Sequence, residues 1–177
     1  MSVDVETAGN SPSRYALLSI GACLVDDPDR SFYIELLPDR SEMLPDAMAV
    51  HGLSMEELAV TGVEPAAAMK QFAEWVETVV GDGLRPVFVA HNATFDWMFV
   101  NDYFHRYMGT NPFGHSALDM KAYFMALTGV TWSQTSLRDV AKYYGRTVQL
   151  THNALQDAQD QAVFFALMLK ERAALLG

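Results

Sequence analysis

The chain has 177 residues, of which half are apolar and 19% are charged. This length and composition predict one folded domain spanning residues 1–177 and exclude global disorder. The formal net charge of −10 argues against a protein that holds nucleic acid on a broad basic surface, because Lys and Arg supply most of the non-specific affinity for phosphates. It does not argue against an enzyme whose acidic site binds metal ions, since the ions then face the phosphate.

The first residues and the single cysteine indicate the compartment. Asp4 and Glu6 stand where a secretory signal would place positive charge and then an apolar run. No segment approaches the roughly 20 apolar residues of a membrane span. Cys23 cannot form an internal disulfide, and we expect a buried, unreactive thiol. The sequence therefore predicts a cytoplasmic protein with no membrane partner.

Apolar periodicity and turn residues divide the chain into short strands followed by an alternation of strands and helices. In chain order the predicted elements are strands 2–6, 15–24 and 31–37, a loop 38–45, a short helix from 54, a helix 64–80, a strand 86–90, and helices 93–107, 121–127, 136–144 and 153–175. Strand 86–90 is wholly apolar, which is typical of the centre of a covered sheet. This order predicts an α/β domain with a mixed sheet.

Two carboxylates, Asp4 and Glu6, lie two positions apart in the first predicted strand. Side chains at i and i+2 of a strand point to the same face, so these two acids project side by side from the sheet. Adjacent negative charges are unfavourable unless a cation neutralises them. The pair is therefore either part of a metal site or a solvated pair on an exposed strand.

Further candidate site residues follow the buried strand and precede the last helix. Asp96 lies in the first turn of the helix after strand 86–90, at the strand end where α/β sheets usually place function, although it could equally complement the helix dipole. Its neighbour Phe95 is either a core residue or a base-stacking surface. His152 precedes the last helix and Asp157 lies just over one turn inside it. Histidine accepts protons near neutral pH, and Asp is a hard oxygen ligand for Mg²⁺ or Mn²⁺.

The four acids and the histidine form an ordered set that could converge at one end of the sheet. Such a set suits two divalent ions and a general base, which together promote an in-line displacement at phosphorus. The sequence has no competing Cys/His zinc pattern, Walker loop or Gly-x-Ser-x-Gly segment.

The ordered set resembles the DEDDh 3′–5′ exonucleases, which include polymerase proofreading subunits, oligoribonuclease and ribonuclease T. Residues 3–9 match the first motif of that superfamily, residues 90–96 the second and residues 152–157 the third, whose histidine marks the "h" subgroup. Within the superfamily the chain looks most like ribonuclease T, on residues 4–9 and on the Asn-Pro-Phe of 111–113.

The resemblance implies a ribonuclease H-like α/β fold, with a five-stranded mixed sheet flanked by helices. It implies that Asp4, Glu6, Asp96 and Asp157 hold two Mg²⁺ ions, for which Mn²⁺ can substitute. It also implies that His152 deprotonates the attacking water.

The resemblance further implies contacts with the substrate and a partner subunit. Thr7, Ala8 and Phe95 would contact the terminal nucleotide, and His51 lies in a segment that these enzymes place near the substrate. Ribonuclease T carries a base-stacking aromatic where this chain has Asn10. A homodimer is implied by the likeness to ribonuclease T alone.

These features predict a Mg²⁺-dependent 3′–5′ exonuclease that releases nucleoside 5′-monophosphates from single-stranded RNA or DNA ends. Two alternatives stay open. An oligoribonuclease-like enzyme would act on very short oligonucleotides, which the acidic composition and Asn10 would suit. A non-catalytic nucleic-acid-binding accessory module would keep the fold and work through a partner, although the presence of all five motif residues argues against it.

Overall fold

A computed structural model of the chain describes residues 1–81, 83–149 and 151–177. Within these residues one mixed sheet has the order β3-β2-β1-β4-β5. β1 pairs antiparallel with β2 and parallel with β4, β2 pairs antiparallel with β3, and β4 pairs parallel with β5. The predicted mixed, five-stranded sheet is confirmed. The strands are β1 Ser2–Thr7, β2 Leu17–Cys23, β3 Ser31–Glu35, β4 Phe88–Ala90 and β5 Ala117–Asp119.

Helices flank the sheet, and all except α1 follow the predicted order, with boundaries that shift by a few residues. They are α1 Pro45–His51, α2 Met55–Thr61, α3 Pro65–Val80, α4 Ala93–Met108, α5 Met120–Thr128, α6 Leu137–Tyr143 and α7 Ala154–Leu176, with a 3₁₀ turn at Trp132–Gln134 before α6. None of the helices in the described ranges is long and apolar enough to cross a membrane.

The two faces of β1 have different neighbours, and this difference determines where the site lies. Val3 and Val5 are buried in the main core cluster with Phe72 of α3 and Phe104 of α4. The side chains between them alternate to the other face, where α7 packs across β1 and β2. The acids of β1 therefore lie on the α7 side of the sheet.

The first strand is held along both edges although it begins at the second residue. β1 pairs with β2 from Ser2 to Thr7, and the carbonyl of Met1 accepts a 2.9 Å hydrogen bond from the amide of Val89 in β4. The chain end thus carries the first motif on a strand with partners on both sides.

Three elements were missed by the pattern, namely α1, β5 and the 3₁₀ turn at Trp132–Gln134. Residue 45 was predicted to end a loop, and 46–51 were left unassigned, but α1 begins at Pro45. α1 has only seven residues and none of them is buried, so it spans too few turns for apolar periodicity to mark it. β5 has only three residues, all partly exposed, which is too short to show an alternating pattern. Cys23 is buried, as expected.

Candidate active site

β1 carries Asp4 and Glu6 to the edge of a cleft beside α7. Val5, between them, is 5% exposed and belongs to the core. The amide of Val5 donates a 3.1 Å hydrogen bond to Oδ1 of Asp96 in the first turn of α4. The backbone of the first motif therefore fixes the acid of the second.

The start of α4 is held by an acid from β5. Asn92 adopts a left-handed conformation, with φ of 66°, and its side chain does not cap the helix. Instead Oδ2 of Asp119 accepts a 2.7 Å hydrogen bond from the amide of Ala93, while Oδ1 accepts one from the amide of Ala122 in α5. Asp119 thus ties two helix starts together, and this contact orients the turn that carries Asp96.

In the third motif, residues 152–157, the loop before α7 donates hydrogen bonds to Asp157. Asp157 lies in the first turn of α7 and is 6% exposed. Its Oδ1 accepts hydrogen bonds from the amide and the hydroxyl of Thr151, and its Oδ2 accepts one from the amide of His152, at 3.0–3.2 Å. His152 has φ of 53°, a left-handed turn that brings its backbone over the carboxylate. The loop before α7 and the acid inside it therefore form one unit.

Gln161 connects this helix to both other motifs. Its side chain is nearly buried, at 3% exposed. Its Nε2 donates a 2.7 Å hydrogen bond to Oδ1 of Asp4, and its Oε1 accepts a 2.8 Å bond from the amide of His91. Sequence reasoning missed this residue. The available signal was its position four residues after Asp157, which puts both side chains on one face of α7.

α7 reaches β1 because Gly21 leaves room for it. Gly21 lies opposite Asp4 in the β1–β2 ladder. A Cβ added to Gly21 would lie 2.1 Å from the carbonyl carbon of Ala154, the first residue of α7. Only a residue without a side chain permits this approach, and the approach brings Asp157 beside the acids of β1.

These elements enclose a cleft of about 600 Å³, a size typical of ligand sites. Glu6, His152 and Asp157 each offer a ligand atom within 4.8 Å of the others, and the described residues hold no second such group. All five predicted catalytic residues line the cleft. The lining residues are Asp4, Val5, Glu6, His91, Asn92, Phe95, Asp96, Ser136, Leu137, Arg138, His152, Asp157 and Gln161.

Burial and mutual repulsion raise the pKa values of the acids. Burial and the charge of Asp157 raise the pKa of Glu6 from 4.5 to about 7. Burial, with the charges of Asp96, Glu6 and Asp157, raises the pKa of Asp4 well above its usual value, against the hydrogen bond from Gln161. Burial likewise raises the pKa of Asp96. Such a cluster favours a bound cation, which relieves the repulsion.

The family follows from the match over nearly the whole chain. The RNase_T model, an exonuclease family, matches residues 1–165. The chain belongs to this family. It is 45% identical over 170 residues to the 3′-5′ DNA exonuclease Cap18 of Escherichia coli, covering 96% of this chain and 91% of that protein. The chain is accordingly a 3′–5′ exonuclease, and the predicted resemblance is confirmed.

More distant matches agree on the fold. The nuclease domain of 3′hExo, described as a DEDDh family member bound to rAMP, superposes with a TM-score of 0.77 at 15% identity, covering 96% of this exonuclease and 90% of that chain. Exonuclease I of E. coli in complex with a dT13 oligonucleotide gives 0.71 at 16% identity, covering 98% of this exonuclease but 41% of that chain. A PolC-type DNA polymerase III of Staphylococcus haemolyticus is 26% identical over 168 residues, which are 11% of its length.

The four residues predicted to contact substrate occupy different places in the exonuclease. Phe95 lines the cleft and packs at 5.5 Å, ring centre to ring centre, against Phe99. Thr7 is 5% exposed, and its hydroxyl donates to the carbonyl of Gly9. Ala8 has no exposed surface, and both of its backbone groups are hydrogen-bonded within the protein. Thr7 and Ala8 are thus buried at the end of β1, and the contacts of these residues and Phe95 with the terminal nucleotide stay predictions.

His51 also contacts the end of β1 rather than the cleft. Its Nδ1 accepts a 3.0 Å hydrogen bond from the amide of Leu53, and its Nε2 lies 3.2 Å from the carbonyl of Thr7. Burial lowers the pKa of His51. The neutral ring therefore joins α1 to the segment after Glu6. The role predicted for it at the substrate stays a prediction.

Proposed function

We propose that this exonuclease removes nucleoside 5′-monophosphates one at a time from the 3′ end of single-stranded DNA, with two Mg²⁺ ions and His152 as general base. The observation that carries the proposal is the convergence of three distant motifs in one cleft. Four carboxylates and a histidine from β1, α4 and the start of α7 meet there, and backbone amides fix two of the acids.

The residues present fit divalent cations. Carboxylate oxygens are the ligands that Mg²⁺ and Mn²⁺ prefer. The raised pKa values of Asp4 and Glu6 reflect burial first and then repulsion between the acids, which a cation would relieve. Asp4, Glu6, Asp96 and Asp157 would hold the ions. Bound there, the ions would neutralise the acids and stabilise negative charge on the attacking and leaving oxygens of the phosphodiester.

Two histidines line the cleft, and the hydrogen bonds of one of them favour the other as the base. Nε2 of His91 lies 2.8 Å from the carbonyl of Thr135. A carbonyl oxygen only accepts hydrogen bonds, so Nε2 of His91 carries the hydrogen and donates it to Thr135. His152 is partly exposed within the Glu6–Asp157 group. We therefore infer that His152 accepts the proton of the attacking water. The reaction then releases a nucleoside 5′-monophosphate from the 3′ end.

DNA is the proposed substrate because Cap18 is named a DNA exonuclease and matches this chain over nearly its full length. The complex of Exonuclease I with dT13 shows the same fold with a single strand of DNA. RNA stays the comparison substrate. A homodimer and a cytoplasmic location stay predictions.

The test is digestion of 5′-labelled DNA and RNA 20-mers and of a dinucleotide in Mg²⁺. We expect a DNA ladder that shortens from the 3′ end. His152→Ala and Asp157→Asn should each slow it by about 10²–10⁴-fold, the range for losing a catalytic proton acceptor or a comparable group. His105→Ala on α4 and Asp160→Asn on α7 are matched controls outside the cleft and should cleave like the native protein.

Each other outcome corrects a specific part of the proposal. Faster cleavage of RNA would overturn the substrate, and faster cleavage of the dinucleotide would favour the oligoribonuclease-like alternative. Native activity in His152→Ala would overturn the assignment of the base. No cleavage of any substrate in Mg²⁺ or Mn²⁺ would overturn the proposed reaction.

A further inference from the structure

An exposed tryptophan with a lysine over its ring lies on the 3₁₀ turn before α6. Trp132 is 52% exposed, although tryptophan side chains are highly buried on average. Nζ of Lys121, from α5, lies 4.3 Å from the centre of the indole ring. This cation–π contact orients the ring and leaves much of its surface open to solvent.

A short chain of hydrogen bonds connects this tryptophan to the wall of the cleft. The carbonyl of Trp132 accepts hydrogen bonds from the amide and the hydroxyl of Thr135, at 3.3 and 2.7 Å. The carbonyl of Thr135 is in turn the partner of Nε2 of His91, which lines the cleft. Thr135 has no exposed surface, so the turn is fixed to the cleft wall.

Lys121 and Arg138 provide positive charge on the same side. Lys121 is close enough to His91 that its charge, after burial, contributes to lowering the pKa of that histidine. Arg138 follows the 3₁₀ turn in sequence and lines the cleft directly. It is the single Lys or Arg among the described residues of the lining, and neither cation belongs to a salt bridge within the described part of the chain.

Positive charge beside the cleft contrasts with the acidic character of the protein and of the cleft. The chain has 12 Lys and Arg against 22 Asp and Glu, and the cleft itself is lined by four carboxylates. A polyanionic strand would be repelled by most of this surface. The His91 side of the cleft combines positive charge with an open aromatic face, the two features that bind single strands without regard to sequence.

We propose that Trp132, Lys121 and Arg138 form a strand-binding wall for the nucleotides that precede the scissile bond. This inference rests on the proposed function of the cleft. A base of the incoming strand stacks on the open surface of Trp132, and the two cations contact its phosphates. The wall would compensate for the absence of an aromatic at Asn10 after the first motif.

The wall is tested by comparing a long strand with a substrate that has no preceding nucleotides. The probes are a single-stranded DNA 20-mer and the p-nitrophenyl ester of thymidine 5′-monophosphate. We expect Trp132→Ala to raise the KM for the 20-mer, and its Kd measured by anisotropy with Ca²⁺ in place of Mg²⁺, by about 5- to 150-fold, the range for losing one stacked base. Hydrolysis of the ester should be unchanged, and Trp132→Phe should recover most of the affinity.

Salt dependence separates the cations from the ring. Lys121→Ala and Arg138→Ala should each reduce the slope of log Kd against log salt concentration by about 0.7, the value per phosphate contact on a single strand. Trp132→Ala should leave the slope unchanged. Lys170→Ala removes the same charge from α7, about 20 Å along the helix from Asp157, and should leave both the affinity and the slope unchanged.

The outcomes distinguish the wall from the reaction. Equal affinity for the 20-mer in native protein and Trp132→Ala would overturn the wall while leaving the exonuclease intact. An equal loss on the 20-mer and the ester would also overturn it, because the residue would then act through the fold of the cleft. If the native protein hydrolysed neither probe, the proposed function would fail, and the anisotropy comparison would still decide whether the wall binds a strand.

Discussion

Neutralising Glu6 should remove a large part of the pH dependence of stability in the metal-free protein. In the folded state burial and the charge of Asp157 raise the pKa of Glu6 from 4.5 to about 7. Between these two values the folded protein binds more protons than the unfolded chain. The free energy of unfolding therefore falls as the pH rises through this window.

The size of this effect follows from the same two values. Each pKa unit corresponds to about 1.4 kcal/mol, so the difference between 4.5 and about 7 corresponds to about 3 kcal/mol. Most of it is lost between pH 5 and pH 8. Because the charge of Glu6 also raises the pKa values of Asp4 and Asp96, Glu6→Gln should reduce the pH dependence by at least about 2 kcal/mol.

The assay is urea unfolding in EDTA at pH 5 and pH 8, for the native protein and Glu6→Gln. The matched control is Glu77→Gln, which removes the same charge from an exposed position on α3. We expect the native protein and the control to lose stability from pH 5 to pH 8, and Glu6→Gln to lose much less. Mg²⁺ should stabilise the native protein more at pH 8 than at pH 5. An equal pH dependence in Glu6→Gln and the native protein would refute the electrostatic reasoning.

Three further substitutions test the contacts that hold the site together. Gln161→Leu removes the donor to Asp4, and we expect a loss of about 10- to 100-fold in Mg²⁺ affinity or activity, typical of groups that orient ligands; a metal titration of activity measures it. Asp119→Asn replaces an acceptor that two amides share, and it should lower the free energy of unfolding by about 1–3 kcal/mol. Gly21→Ala places a methyl group on the backbone of Ala154. It should cost about 1–3 kcal/mol or more and lower activity in the protein that still folds.

Controls on the same elements keep these results specific. Gln156→Leu changes an exposed glutamine of α7, and Asp29→Asn changes an exposed acid in the β2–β3 turn; neither lines the cleft. Full activity in Gln161→Leu would show that Asp4 needs no orienting donor. Native stability in Gly21→Ala would show that α7 can move away from β2 without loss, which contradicts the close packing between them.

Part of the candidate site could be predicted from local geometry. A strand places residues two apart on one face, which pairs Asp4 with Glu6. The helix turn that begins after a buried strand places Asp96 at the sheet end. The resemblance of the ordered motifs to those of the DEDDh exonucleases then supplied what local geometry does not, namely that these segments meet. The sequence predicted a mixed sheet but did not locate β5, because three partly exposed residues carry no periodic signal.

The supporting contacts could not be predicted from local patterns because each one joins residues far apart in the chain. Gln161 lies 157 positions from Asp4, and its hydrogen bond depends on the angle at which α7 crosses the sheet. Gly21 reads as an ordinary residue of β2 until α7 is known to cross there. Trp132 had no predicted location, because a three-residue turn has no face to assign. Its exposure and its lysine partner appear only in the folded chain.

In the candidate active site, folding brings carboxylates together, and their mutual repulsion would be relieved when cations bind. Gly21 lets α7 approach, Gln161 and the amide of Val5 hold the acids at fixed positions, and burial then raises their pKa values. This repulsion lowers the stability of the metal-free fold, and bound cations would restore that free energy. An acidic chain can therefore act on a polyanion without a broad basic surface. The proposed wall would place positive charge where the strand enters, and Arg138 lines the cleft on that side.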